Sequence, residues 1–148
     1  MTVRLSQETL PRLPQSVGRP AYDRRDVTAG IFHFGVGNFH RAHLATYLDD
    51  LINRGLAQDW GIVGGGVRSQ EIAGRDVLAD QQWLSTLVEQ SAAISRARVI
   101  GSMVEFVTPG EASAIIDRLS QLDIRIVSLT ITEGGYFLDA NDQFDASH

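Results

Sequence analysis

The sequence contains no cysteine and no lysine. Without cysteine, these residues can form neither a disulfide framework nor a thiolate zinc site. All 13 basic residues are arginine, so no reaction step that needs a lysine amine can be carried by these residues. No apolar run approaches the roughly 20 residues that a membrane helix needs, and Met1–Leu10 lack the basic-then-apolar pattern of a signal peptide. We therefore expect a cytoplasmic protein without a membrane partner.

Basic residues are too few and too scattered to form a block, and the formal net charge of the 148-residue chain is −5. This balance argues against a nucleic acid as the main partner. Hydrophobic residues make up 43% of the chain, which is enough to predict one folded domain and to exclude a disordered chain.

The amino-terminal segment, residues 1–29, carries three of the four prolines and is predicted to be an arm with little regular structure. The domain itself is expected to cover residues 30–148. Its first strand is Ile31–Phe34, which ends at Gly35. A helix follows in which Leu44, Leu48, Leu51 and Ile52 recur at helical spacing, with Asp49 and Asp50 among the residues on the polar faces.

Further strands and helices are predicted along the rest of the chain. The apolar, glycine-rich residues 61–67 predict a buried strand, and residues 69–81 predict a helix with Ser69 as a candidate N-cap. Residues 84–89 and 98–107 resemble strands that pair with each other. An amphipathic helix is predicted from Ala112 to Leu122, and the β-branched residues 124–132 predict a strand buried on both faces.

Alternating strands and helices predict an α/β fold, namely a Rossmann-like, doubly wound and mostly parallel sheet. After Thr132 only a polar tail remains, so no helix is available to cover the last strand. We expect an incomplete, amino-terminal part of such a domain, truncated before its second half. An uncovered strand also predicts self-association through the sheet.

The first strand runs into Gly35-Val36-Gly37 and then directly into a helix, which is the setting of a dinucleotide-binding fingerprint. Gly35 permits a tight turn, and Gly37 lets a pyrophosphate approach the free N–H groups of the helix start. The third glycine of the usual pattern is replaced by His40. Pattern alone leaves a second interpretation open, which is a strand-to-helix turn without function.

His40 and His43 are three residues apart and could share a helix face, which raises the question of a metal site. No third ligand follows at a suitable spacing. We expect no metal, and a histidine that is hydrogen-bonded at a helix start explains the pair more simply.

Four segments resemble the mannitol dehydrogenase family, the polyol-specific long-chain dehydrogenases. They are Phe34–His43 (FGVGNFHRAH), Pro20–Arg24, Asp59–Ile62 and Arg125–Tyr136 (RIVSLTITEGGY). Together they span residues 20 to about 137 in the family's order. The Glu133-Gly134-Gly135-Tyr136 form resembles the mannitol 2-dehydrogenase branch, whereas the fructuronate and tagaturonate reductases tend towards a lysine in place of Gly134.

The resemblance implies an NAD-dependent oxidoreductase that interconverts D-mannitol and D-fructose by hydride transfer without a metal. In the family the acid–base group is a lysine, supported by asparagine and histidine, in a separate and mostly helical carboxyl-terminal domain. Those residues are absent from this sequence, so we expect the 148 residues alone to be inactive. A fructuronate or tagaturonate reductase of the same family remains an alternative.

The resemblance assigns cofactor binding to one run of residues and one acidic residue; the run is Phe34, Gly35, Val36, Gly37, Asn38, Phe39, His40 and Arg41. Glu71 is the candidate for the adenosine ribose, although a carboxylate in a first helical turn is also favourable by itself. Arg68 and Arg75 flank Glu71 and would suit a 2′-phosphate, so NADP stays open beside NAD. Glu133 is expected near the nicotinamide as an auxiliary to proton or water exchange, unless it only forms a solvated turn.

The sequence is therefore consistent with three functions. The first is the NAD-binding portion of a polyol dehydrogenase. The second is a nucleotide-binding module without catalysis. The third is an interaction domain that uses the open edge of the sheet.

Overall fold

The computed structural model describes residues 4–132, 135–139 and 141–147. The strands are β1 (Val17–Gly18), β2 (Ala29–Phe34), β3 (Gly61–Gly65), β4 (Ser85–Gln90), β5 (Ser95–Ile100), β6 (Met103–Phe106) and β7 (Ile126–Leu129). The α-helices are α1 (Asn38–Ala42), α2 (Leu44–Asn53), α3 (Ile72–Asp80) and α4 (Ala112–Leu119). Three short 3₁₀ helices cover Leu10–Arg12, Arg24–Asp26 and Ser69–Glu71.

The main sheet has four parallel strands in the order β6-β3-β2-β7. Ile31 of β2 lies opposite Ile62 and Ile126, and Phe34 lies opposite Gly65 and Leu129. The carboxyl ends of β2, β3 and β7 therefore meet at one edge of the sheet. The predicted α/β fold with a mostly parallel, Rossmann-like sheet is confirmed.

Successive side chains of the central strands β2 and β3 point to opposite faces of this sheet, so both faces carry apolar side chains. Ile31 and Ile62 pack in a core cluster with residues of α2 and α3 on one face. Phe32 and Val63 point to the other face, where Ile115 of α4 covers them. A strand buried on both faces needs such continuous apolar character, which the sequence of β2 and β3 supplies.

Helix α2 confirms the predicted apolar spacing only in part. Leu48 and Ile52 are buried as expected, whereas Leu51 is 39% exposed and Asp49 is buried, with a relative exposure of 1%. Its Oδ1 accepts hydrogen bonds from the Tyr22 hydroxyl at 2.6 Å and from the Gly101 N–H at 2.9 Å. Asp49 was predicted on a polar face because helical spacing does not show which distant chain segments return to a helix.

The predicted strand 98–107 is wrong as a single element. It divides at Gly101-Ser102 into β5 and β6, which belong to different sheets. Strand β5 pairs antiparallel with β4 and parallel with β1 of the amino-terminal segment, which forms a three-stranded second sheet. The side-chain hydroxyl of Ser102 donates to the Ala45 carbonyl at 2.6 Å, so the division point is fixed against α2.

Three smaller expectations also differ from the structure. Ser69 begins a 3₁₀ turn ahead of α3 and is not its N-cap. Helix α4 ends at Leu119, which leaves Leu122 fully exposed. Strand β7 is shorter than predicted, and its Val127 and Leu129 are about half exposed instead of buried.

No helix within the described ranges combines the length and the apolar character that crossing a bilayer requires.

Candidate functional site

A crevice of about 870 Å³ opens where the carboxyl ends of β2, β3 and β7 meet. In open α/β sheets this edge is where ligands bind. The lining residues come from the ends of the three strands and the segments that follow them: Phe34, Gly35, Gly66, Val67, Arg68, Gln70, Glu71, Leu129, Thr130 and Thr132.

The turn after β2 has the geometry that its glycines predict. Gly35 has a φ of +88°, a left-handed conformation that favours glycine, and its N–H donates to the Gly65 carbonyl at 3.2 Å. Gly37 is extended and caps the start of α1. A Cβ at Gly37 would meet no atom within 4 Å, so nothing in the chain itself requires a glycine there.

The side chains of the other fingerprint residues lie in different environments. Phe34 lines the crevice, whereas the side chain of Val36 packs inward against the core. Phe39 is exposed and lies against His43, with ring centroids 4.4 Å apart. Asn38 and the half-buried Arg41 hydrogen-bond to each other and line a second pocket.

That second pocket has a volume of about 360 Å³ and lies between α1 and the segment that joins α3 to β4. Its other polar lining residues are Gln81, Ser85 and Thr86. The structure therefore places Asn38 and Arg41 at this second pocket and not among the residues that line the crevice.

His40 stands where the fingerprint usually has its third glycine, and the prediction of a histidine hydrogen-bonded at the helix start is wrong for it, because its side chain is buried. Its ring is buried and stacks on the ring of His33 from β2, with centroids 4.0 Å apart. Neither ring nitrogen of His40 has a hydrogen-bond partner in the described part of the protein. Burial, followed by the neighbouring His33 and Arg41, lowers the pKa of His40 to about 3, so this ring is neutral near pH 7.

His33 connects this stack to β7. Its Nδ1 lies 2.9 Å from Ser128 Oγ and its Nε2 lies 3.1 Å from Thr130 Oγ1. Burial lowers the pKa of His33 as well. Because Thr130 lines the crevice, His33 and Thr130 are site residues that the sequence interpretation missed. The available signal was a polar residue in the middle of an otherwise apolar buried strand.

Glu71 lies where a ribose-binding carboxylate is expected, at the crevice beyond the end of β3. Its Oε2 accepts a hydrogen bond from the Arg68 N–H at 3.0 Å. The Arg68 side chain also lines the crevice. Arg75 does not: its Nε donates to the Phe106 carbonyl at 3.2 Å, and its guanidinium lies over Trp83. Of the two flanking arginines, only Arg68 is therefore placed to meet a 2′-phosphate.

Glu133 and Gly134 lie outside the described residues, so the expected auxiliary role of Glu133 stays a prediction. Across the described ranges, no group of three or more histidine, cysteine, aspartate or glutamate side chains could hold a metal ion.

A wider groove of about 950 Å³ lies between β6 and α4. Its charged side chains other than Asp117 are paired within the protein. Arg118 contacts Glu105 at 2.8 Å and Asp123 at 2.9 Å, and Arg75 contacts Asp76 at 3.0 Å. This groove therefore offers a ligand less free charge than the crevice beside Glu71 does.

A parallel sheet, a glycine turn into a helix and a carboxylate beyond the next strand together define a dinucleotide-binding domain of the Rossmann class. Residues 29–146 match the family model of the mannitol dehydrogenase Rossmann domain. The chain belongs to the mannitol dehydrogenase family, and the resemblance drawn from its sequence is confirmed.

Similar proteins agree with the mannitol 2-dehydrogenase branch. The chain is 53% identical over 138 residues to a mannitol 2-dehydrogenase of Cereibacter sphaeroides, covering 92% of this chain and 29% of that protein. It is 46% identical over 128 residues to a mannitol 2-dehydrogenase of Pyricularia oryzae, covering 86% of this chain and 26% of that protein. The chain thus spans less than a third of the length of these relatives.

Two solved structures share the fold. The Pseudomonas fluorescens mannitol 2-dehydrogenase ternary complex with NAD and D-mannitol matches with a TM-score of 0.88 and 46% identity, over 96% of this chain and 30% of that one. A substrate-free D-sorbitol dehydrogenase matches with a TM-score of 0.80 and 37% identity, over 97% of this chain and 30% of that one.

Proposed function

We propose that these 148 residues are the NAD-binding portion of a polyol dehydrogenase that interconverts D-mannitol and D-fructose. The observation that carries the proposal is Gly37, whose missing side chain leaves open space beside the crevice although the chain's own packing does not need it. The relatives named mannitol 2-dehydrogenase, and the complex of one of them with NAD and D-mannitol, support the choice of cofactor and substrate.

The described residues fit a dinucleotide in three respects. Gly35 turns the chain at the end of β2, and Gly37 leaves the first N–H groups of α1 accessible to a pyrophosphate. Glu71 presents a carboxylate to the adenosine ribose from the same crevice. Thr130, held by His33, forms the wall on the β7 side.

The fingerprint residues contribute in different ways under this proposal. Gly35, Gly37 and the backbone of Asn38 and Phe39 approach the pyrophosphate, and Phe34 lines the crevice. Val36 and His40 act through packing, because their side chains are directed into the protein. Arg41, which lines the second pocket, adds a positive charge near the dinucleotide.

When bound, NAD would supply the hydride acceptor for the carbinol carbon of the polyol. Oxidation of an alcohol also needs a group that takes the hydroxyl proton. The family resemblance assigns this group to a lysine, and these residues contain none. We therefore propose that the 148 residues bind NAD but do not oxidise mannitol by themselves.

The preferred cofactor is NAD because the Glu71 carboxylate suits a free ribose diol and would repel a 2′-phosphate. Arg68 keeps NADP as the alternative. Other keto-sugar substrates of the family remain an alternative to fructose, since the substrate-binding residues are expected elsewhere. The cytoplasmic location stays a prediction, which cell fractionation tests.

The claim that the 148 residues bind NAD but do not oxidise mannitol is tested by incubating the purified chain with NAD and D-mannitol. The reaction is followed as NADH absorbance. We expect no rate above the enzyme-free background. A purified family member of full length is the positive control under the same conditions. Turnover by the 148-residue chain well above background would contradict the claim that the proton-transfer group lies elsewhere.

A further inference from the structure

Gly66 directly follows β3, and the end of the Glu71 side chain occupies the space that a side chain at this position would take. A Cβ at this position would lie 2.5 Å from Glu71 Oε2 and 2.9 Å from Glu71 Cδ. Both distances are shorter than van der Waals contact allows. The backbone of Gly66 is not in the left-handed region, so the glycine is needed for space and not for conformation.

One oxygen of the Glu71 carboxylate therefore has neighbours on two sides. The Arg68 N–H binds Oε2 at 3.0 Å, and the same oxygen rests against the bare Cα of Gly66. Within the described ranges Glu71 makes no other side-chain hydrogen bond, so Oε1 remains a free acceptor. The half-buried carboxylate is therefore fixed by the protein through one oxygen and open to a ligand through the other.

We propose that Gly66 is a positioning residue that makes the crevice select NAD over NADP, because it lets Glu71 occupy this fixed place. This inference rests on the proposed function. A ribose with free hydroxyls donates to the carboxylate, whereas a 2′-phosphate is repelled by the negative charge that Glu71 places beside Gly66. Arg68 lines the same crevice and has no ion-pair partner in the described part of the chain, so its positive charge could receive a 2′-phosphate if Glu71 moved.

The test is the variant Gly66→Ala, with NAD and NADP titrated separately into the 148-residue chain by calorimetry. The new methyl group displaces the Glu71 carboxylate, so NAD should bind about tenfold more weakly, as expected for one lost charge-assisted hydrogen bond. The affinity for NADP should stay the same or rise. An unchanged ratio of the two affinities would overturn the proposal. Gly74→Ala is the matched control, because a Cβ there meets nothing within 4 Å.

A double-mutant cycle distinguishes positioning from general damage. In Glu71→Gln the preference for NAD should already be lost, and adding Gly66→Ala should change the ratio less than about twofold. If Gly66→Ala changed the ratio of affinities as much in the Glu71→Gln protein as in the wild type, Gly66 would not act through Glu71. That result would overturn the proposal.

Gly66→Ala also brings a Cβ to 3.2 Å from Pro109 Cβ, so its folding is checked by thermal melting. If that variant does not fold, Glu71→Asp with Gly66 intact replaces it, because the shorter side chain withdraws the carboxylate from Gly66 without a new contact to Pro109. Its preference for NAD should fall, and an unchanged preference would contradict the claim that the carboxylate must lie beside Gly66. If the wild-type chain binds neither nucleotide, the proposed function fails and this inference fails with it. Wild-type binding with an unchanged ratio in Gly66→Ala overturns the inference alone.

Discussion

The imidazole rings of His33 and His40 are stacked face to face, with 17° between their planes. The stack occupies the place where the third glycine of a dinucleotide fingerprint lets the helix pack closely on the strand. Here two neutral rings fill that space. They join α1 to β2, and His33 continues the connection to the hydroxyls of Ser128 and Thr130 on β7.

The buried His40 predicts how stability depends on pH. Its pKa is lowered to about 3 in the folded chain, from an ordinary value of 6.5. Between these values the unfolded chain binds a proton that the folded chain does not. The free energy of unfolding should therefore rise with pH across this window and level off above pH 6.5, by at most about 1.4 kcal/mol per pH unit from this group.

The measurement is urea unfolding at several pH values within that window, for wild type and for His40→Phe. The variant keeps a ring against His33 but removes the titrating group, so its slope with pH should be smaller. The two proteins are compared by the slope of the unfolding free energy against pH, because the unfolding free energy itself also changes with ring size. Equal slopes in the two proteins would contradict the assignment.

The buried carboxylate of Asp49 predicts a large effect on stability. It accepts from the Tyr22 hydroxyl and the Gly101 N–H, and it contacts Arg98 at 3.2 Å. Asp49→Ala would leave the Tyr22 hydroxyl and the Gly101 N–H without this acceptor and Arg98 with Asp50 as its remaining ion-pair partner, so we expect a loss of about 3 kcal/mol in the free energy of unfolding. Asp50→Ala is the control: Asp50 also binds Arg98 but is partly exposed, and its loss should cost less than about 1 kcal/mol. Similar losses in both variants would refute the structural role of Asp49.

The two glycines of the turn should differ when each is replaced by alanine. Gly35 has a φ of +88°, so Gly35→Ala should lower the free energy of unfolding by at least about 1 kcal/mol. Gly37 is extended with open space around it, so Gly37→Ala should change stability by less than about 0.5 kcal/mol. Urea denaturation of both variants checks this, and a Gly37 variant as unstable as the Gly35 variant would show that the chain's own packing needs both glycines.

Strand β7 is expected to cause self-association. It pairs with β2 along one edge, no partner strand lies along its other edge in the described part of the fold, and Val127 is 55% exposed. Sedimentation velocity at increasing concentration should show association that Val127→Arg weakens. Leu122→Arg, on a residue that is exposed but outside the sheet, should not weaken it. A wild-type chain that stays monomeric at every concentration would disprove the expectation.

Local patterns predicted the elements that depend on neighbouring residues. The β2 strand, the glycine turn and the apolar spacing of α2 and α4 are all visible within short windows of sequence. The order of strands and helices predicted the Rossmann-like class, and the family resemblance supported the candidate carboxylate Glu71. These parts could be predicted because turn chemistry and helical or strand periodicity are local properties.

Contacts between distant segments could not be predicted in this way. The burial of Asp49 depends on Tyr22 and Gly101, which approach it only in the folded chain. The division between β5 and β6 depends on which sheet each strand joins. The space beside Gly66 likewise exists only because Glu71 folds back over it. In each case the environment of the residue depends on a second segment of the chain. That segment is either distant in sequence or folds back onto the residue.

The most direct test of the nucleotide-binding claim is a calorimetric titration of NAD into the wild-type 148-residue chain and into Gly37→Ala. Wild type should bind NAD saturably in the micromolar range, and Gly37→Ala should bind at least about tenfold more weakly at unchanged stability, because its methyl group blocks the approach to the first N–H groups of α1. No heat of binding to wild type at millimolar NAD, or equal affinities in the two proteins, would contradict the account.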